Sequence, residues 1–109
     1  MPNITREAIK RHLDRGDPIV LVEALPAKNY DDAHLPGAVQ INHDEVAKKA
    51  PLLLPYKDTK IVVYCANKEC RNSAKAAGAL EALGYTDVHE YVEGKADWQA
   101  AGLPTAGAA

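Results

Sequence analysis

Nowhere in the 109 residues does an apolar run approach the ~20 needed to cross a bilayer. Charge of one sign is lacking too. The 13 Lys and Arg stand against 15 Asp and Glu, for a formal net charge of -2. Nucleic acid calls for a strongly basic face, so no nucleic-acid partner is expected, and no membrane partner either. The opening stretch from Met1 to Lys10 has no apolar core of the signal-peptide kind, which makes the cytoplasm the expected compartment. Cysteine is scarce, at two residues. Thiols in that compartment stay reduced, so two cysteines point to reactivity more than to architecture. There is no internal repeat, and no linker long or polar enough to mark a second domain. Residues 1–109 are therefore read as one domain with a core from about 5 to 104. The hydrophobic share of 47% and charged share of 26% are ordinary for a globular chain and exclude disorder. A chain of this size can bury a core without disulfide staples.

The hydrophobic pattern alternates helix and strand. Ile4, Ala8, Ile9 and His12 or Leu13 share a helical face, Thr5 can cap its start, and Gly16-Asp17-Pro18 ends it. Ile19 to Val22 is a continuous apolar run, as in a buried parallel strand. Pro26 to Ala33 reads as a short helix, Leu35-Pro36-Gly37 as a turn, Ala38 to Ile41 as a second strand. Asp44 to Lys49 reads as a short helix. Pro51 and Pro55 bracket three leucines, expected as a loop packed onto the core. Ile61 to Tyr64 is the clearest strand. A polar loop from Ala66 to Asn72 follows Cys65. Ser73 is expected to cap a helix from Ala74 to Leu83, closed by Gly84. Val88 to Val92 is the last strand, Ala96 to Ala101 a last helix, and Gly107 to Ala109 a frayed tail. Such alternation implies a parallel sheet with helices on both faces.

The informative stretch is strand, cysteine, polar loop, helix. Ligands of parallel sheets bind at the carboxyl ends of strands, and Cys65 sits at one. The loop beyond it leads into a helix N-terminus, whose free N–H groups and dipole favour an anion and push a thiol toward thiolate. Lys68 and Arg71 add positive charge. A nucleophilic Cys65 acting on an anionic or sulfur-bearing substrate fits this pattern. A buried structural cysteine at a strand end fits the spacing as well.

Four pieces in order resemble the rhodanese family. Tyr30, His34 and Leu35-Pro36-Gly37-Ala38 resemble its signature after the first strand. Val62-Val63-Tyr64-Cys65 resembles its strand and catalytic cysteine. Ala76-Ala77, Leu80, Leu83-Gly84-Tyr85 and Val88 resemble the helix and strand that follow. Gly94, Trp98 and Ala101-Gly102-Leu103-Pro104 resemble the C-terminal signature. The resemblance implies an α/β, rhodanese-like (flavodoxin-like) fold with a five-stranded parallel sheet. It implies a sulfurtransferase carrying sulfane sulfur as a persulfide on Cys65, with no metal or organic cofactor. The donor would be thiosulfate or a protein persulfide, the acceptor cyanide, a thiol or another protein. Ala66, Asn67, Lys68, Glu69, Cys70 and Arg71 would form the substrate cradle, with Glu23 and Ser73 in support. The oligomeric state is left open.

Two departures stand out. The family carries Asp, then Arg two residues on, where this chain has Glu23 and Leu25. Leu25 cannot replace a guanidinium that holds anions bidentately, which weakens the case for anionic donors. The active-site loop is also longer than the common Cys-x-x-Gly-x-Arg-Ser, lacks its Gly, and carries Cys70. Cys70 could resolve a persulfide or sulfenate on Cys65 as a disulfide, or be a spectator. Cys65 and Arg71 also spell Cys-x5-Arg, the spacing of cysteine phosphatases, some of which share this fold. Tyr64 in place of His, and Glu69 and Cys70 inside the cradle, count against that alternative. A non-catalytic or redox-sensing domain is the third reading. A zinc site does not fit, because Cys-x4-Cys has no matching second pair. His34 is expected to hold backbone groups. His12, His43 and His89, without carboxylate or Cys neighbours in sequence, are expected to be structural or exposed. Tyr91 and Trp98 are expected in the core.

Overall fold

In the computed structural model residues 1–107 are described; Ala108 and Ala109 of the expected frayed tail lie outside them. The elements run α1 (Arg6–Arg15), β1 (Ile19–Glu23), α2 (Ala27–Asp32), β2 (Val39–Gln40), α3 (Val46–Leu53), β3 (Lys60–Tyr64), α4 (Asn72–Ala82), β4 (Val88–Tyr91) and α5 (Gly94–Ala100). At the start of α1 the Ala8 N–H donates to Thr5 Oγ1 at 3.2 Å, so Thr5 is the cap. Gly16, at φ 69°, ends that helix in the left-handed region.

The four strands are parallel, in the order β2-β1-β3-β4. Alternate side chains feed two cores. Val22, Ile61, Val63 and Val88 pack with Val46 and Ala50 of α3 and Ala76, Ala77 and Leu80 of α4. Leu21, Val62, Tyr64 and Tyr91 pack on the other face with Ile9 of α1 and Trp98 of α5. Trp98, Tyr64 and Tyr91 are fully buried. Helices thus cover both faces, as the alternating pattern requires.

The expected fifth strand is present only as a bridge, Asn3 beside Glu90 in parallel sense. Ile4 N–H donates to Glu90 O and Glu90 N–H to Pro2 O, both at 3.0 Å. The chain then turns into the cap at Thr5, which leaves no length for a ladder. The three leucines also differ from expectation. Leu52 and Leu53 end α3 and are exposed, at 80% and 46%, while Leu54 is buried. Val46, Ala50 and Leu54, four apart, take the inward face, so the other two leucines rotate to solvent. Among the described residues no helix is long and apolar enough to cross a membrane.

Candidate active site

The chain runs from β1 to β2 on one side, then crosses β1 to place β3 on the other. That reversal makes the carboxyl ends of β1 and β3 the topological switch point, where open parallel sheets bind ligands. Glu23 ends β1 and Tyr64 ends β3, paired in register. Ala24 N–H donates to Tyr64 O at 2.8 Å and continues the pairing one residue further. Cys65 is the next residue of β3's chain and is 1% exposed.

From Cys65 the loop curls back on itself. The Asn67 side-chain oxygen accepts from the N–H groups of both Glu69 and Cys70, each at 3.1 Å, and Asn67 O accepts again from Cys70 N–H at 3.2 Å. This turn brings Cys70 over Cys65, and the two are joined as a disulfide with Cα atoms 6.3 Å apart. Cys70 is half-buried; Asn67, Lys68, Glu69 and Arg71 are exposed, and Ala66 is half-buried. Arg71 is the residue before α4, at its N-terminal mouth.

Ser73 is not the cap expected of it. The helix begins two residues earlier than expected, at Asn72, so Ser73 lies in the first turn and points inward, 1% exposed. Its hydroxyl donates to Glu90 Oε2 at 2.6 Å, and its oxygen lies 3.4 Å from Cys65 Sγ. Glu90, from β4, was not foreseen as a site residue. It shares a sheet face with Val88 by the two-residue period, and an inward carboxylate beside an apolar neighbour is a readable signal.

Below the loop lies a buried polar network. Glu23 is fully buried; Tyr64 OH donates to its Oε1 at 2.8 Å and Lys95 Nζ to its Oε2 at 3.1 Å. Lys95 spends its other two protons on Asn29 O at 3.0 Å and Ala33 O at 2.6 Å, at the end of α2. Tyr64 OH in turn accepts from Leu35 N–H at 3.0 Å. Burial first, and the adjacent Glu23 charge second, raise the Tyr64 phenol far above its ordinary value, so it stays a donor. Lys95, like Glu90, escaped the sequence. It stands three residues before Trp98 on the same helical face, and a lysine on that face is the sign of a buried partner. Leu25 is buried and apolar, so the charge opposite Glu23 comes from α5 rather than from the end of β1.

Helix α5 starts at Gly94, two residues before the expected Ala96, because Lys95 N–H and Ala96 N–H donate to Cys65 O and Ala66 O, both at 2.9 Å. A Cβ on Gly94 would stand 2.6 Å from Cys65 O and 2.9 Å from Asn67 N, and its φ is +70°. Only glycine admits that approach. A cleft of about 420 Å³ flanks the loop, lined by Asn67, Lys68, Glu69, Glu93, Ala96 and Asp97.

The histidines lie elsewhere. His34 Nδ1 is 2.8 Å from Tyr30 O and its N–H donates to Ala106 O, so it holds backbone as expected. His12 and His89 do have carboxylate partners, contrary to the sequence reading: Asp17 at 2.8 Å and Asp87 at 2.6 Å. The Gly16 turn returns Asp17 to the helix end, and Asp87 stands two residues before His89. Both pairs lie at the amino ends of the strands, away from Cys65.

The family model for the rhodanese-like domain matches residues 5–101. YrkF of Bacillus subtilis, a protein named as a sulfur carrier, is 31% identical over 98 residues, 90% of this chain and 51% of YrkF. The HTH-type transcriptional regulator Rv0324 of Mycobacterium tuberculosis is 32% identical over 101 residues, 93% of this chain and 43% of that protein. The chain thus spans about half the length of the relatives it matches. The crystal structure of the Anabaena protein Alr3790 superposes with a TM-score of 0.86 at 28% identity, covering 95% of this chain and 80% of that one.

Proposed function

We propose that this chain, which belongs to the rhodanese-like domain family, moves a sulfane sulfur from donor to acceptor through a persulfide on Cys65. The single observation that carries the assignment is the position of Cys65. It lies at the carboxyl end of β3, at the switch point beside β1, at the head of a loop that enters α4. The name of YrkF, a sulfur carrier, supports the same chemistry. The Cys65 thiolate attacks the donor's outer sulfur, and the donor's sulfur–sulfur bond breaks with sulfite or a thiolate leaving on the electron pair. An acceptor thiol, cyanide or protein thiolate then attacks that outer sulfur and frees Cys65 as thiolate. Lys68 and Arg71, exposed on the loop, are the cations available to an anionic donor such as thiosulfate. With buried, apolar Leu25 after β1 instead of a guanidinium, a persulfide donor suits the site better than a small dianion.

A phosphatase needs the loop N–H groups to face phosphate. In this loop Asn67 takes the N–H groups of Glu69 and Cys70, and Cys70 occupies Cys65. That alternative is therefore carried only as a control. Reduced protein is incubated with thiosulfate or an organic persulfide, and separately with a phosphate ester. Intact mass should gain one sulfur, mapped to the Cys65 peptide, and Cys65→Ser should lose both the adduct and transfer. Phosphate release without sulfur loading, or transfer surviving in Cys65→Ser, overturns the assignment.

A further inference from the structure

Cys65 is almost fully buried, and the sulfur that reaches it in the structure is that of Cys70. The contact is built in. Asn67 folds the loop by accepting from the Cys70 N–H with both its side-chain and backbone oxygens. A Cα separation of 6.3 Å lies inside the range that disulfides span. Cys70 stands between Glu69 and Arg71, and α4 begins two residues after it, so its sulfur lies at the approach to a helix N-terminus, which favours a thiolate.

We infer that Cys70 gives the site a second outcome: reductive release of the carried sulfur as sulfide. The inference rests on the Cys65 persulfide proposed above. The Cys70 thiolate attacks Cys65 Sγ, the inner sulfur of the persulfide. The Sγ–Sγ bond between the two cysteines forms, and the bond to the outer sulfur breaks. That outer sulfur leaves with the electron pair and takes a proton as hydrosulfide. The sulfane sulfur is reduced from zero to minus two, and the two cysteine sulfurs together are oxidised by two electrons. The product on the protein is the Cys65–Cys70 disulfide seen in the structure. A dithiol reductant, small or protein-borne, then restores both thiols and is itself oxidised to a disulfide. An acceptor such as cyanide attacks the outer sulfur instead and leaves Cys65 as thiolate. The product identifies which sulfur was attacked. Because the attacking thiol is tethered, this route competes well with any acceptor that must diffuse to a buried sulfur.

The test uses reduced wild type and Cys70→Ser, each loaded with inorganic polysulfide under anaerobic conditions and desalted. Intact mass, Cys65 peptide mapping and free sulfide are followed in time. Wild type should pass from persulfide to internal disulfide while releasing about one equivalent of sulfide per chain. Cys70→Ser should keep sulfur on Cys65, with sulfide release at least about tenfold slower. Should the variant fold poorly, the wild-type readout stands alone: disulfide and sulfide must appear together, in equal amounts, without oxygen. Persulfides of equal lifetime in the two proteins, or disulfide formed without sulfide, overturn the inference and leave the Cys65 persulfide intact. Sulfur failing to load on Cys65 in either protein overturns the persulfide and this inference together.

Discussion

Cys65 meets a carboxylate at one remove. Glu90 holds the Ser73 hydroxyl proton, so the Ser73 oxygen turns a lone pair toward Sγ. In the reduced protein that arrangement accepts a thiol proton and places negative charge near a would-be thiolate. Both effects favour the neutral thiol. The helix N-terminus ahead of α4 pulls the other way. Replacing Glu90 with Gln removes the negative charge while keeping an acceptor for the serine hydroxyl. Alkylation of reduced Glu90→Gln by iodoacetamide should follow a pH profile displaced to lower pH. A displacement of ~0.5 unit makes the rate near neutrality about threefold faster. A profile unchanged from wild type would mean that the serine bond serves packing alone. The inward faces of Glu90 and Lys95 were legible in the spacing, but their place in the site was not, whereas that of Cys65 was. A cysteine at a strand end followed by a loop announces itself locally. The roles of Glu90 and Lys95 depend on which strands lie side by side, and one-dimensional spacing does not carry that.

At the scale of elements, Lys95 ties three together. Its side chain joins the end of β1 through Glu23 and the end of α2 through Asn29 and Ala33, while its own N–H docks α5 on Cys65 O. Lys95→Met would leave the Glu23 carboxylate buried and held by Tyr64 alone. Losing one partner of a buried pair costs about 3–5 kcal/mol. Urea titration of Lys95→Met should show a loss of that size. The double variant Glu23→Leu with Lys95→Met should recover part of it, since no orphan charge remains. If Lys95→Met alone costs under about 1 kcal/mol, water reaches Glu23 and the network is not a clamp. Element existence and order were readable throughout: the apolar runs at Ile19 and Ile61 and the caps at Thr5 and Gly16 all fall where the strands and α1 lie. Boundaries were less so. Ser73 resembles a cap by type, but α4 starts early enough to turn it inward onto Glu90, beside Cys65. Leu52 and Leu53 looked like core by composition, but the four-residue period through Val46, Ala50 and Leu54 decides which leucine goes in.

The stability of the whole molecule inherits a pH dependence from its buried phenols. Tyr64 and Tyr91 both sit above the ordinary tyrosine value of 10.0, Tyr64 through burial and then Glu23, Tyr91 through burial and then its bond to Asp97. A folded-state value raised above the unfolded one gives stability that is complete below pH 10 and lost as pH rises beyond it. Above pH 10 the unfolded chain sheds phenolic protons that the folded chain retains, which pulls the equilibrium toward unfolding. Melting temperature should therefore decline from about pH 10 upward, and Tyr64→Phe should decline less steeply. Equal slopes in the two proteins would place the alkaline loss elsewhere.

A sheet with bare borders invites other chains to add themselves to it. Here both borders are blunted. On one side β2 is two residues long, too short to template a neighbour. On the other, Pro2 and Ile4 occupy the N–H and C=O of Glu90, and the proline has no N–H of its own to offer outward. The first four residues thus act as a guard strip along β4. Removing residues 1–4 would expose that border, and sedimentation should show more self-association than in the protein that keeps them. The strip also grips the backbone of the residue whose carboxylate steadies Ser73. Lifting this strip from Glu90 would then be felt at Cys65, on the far side of a single strand.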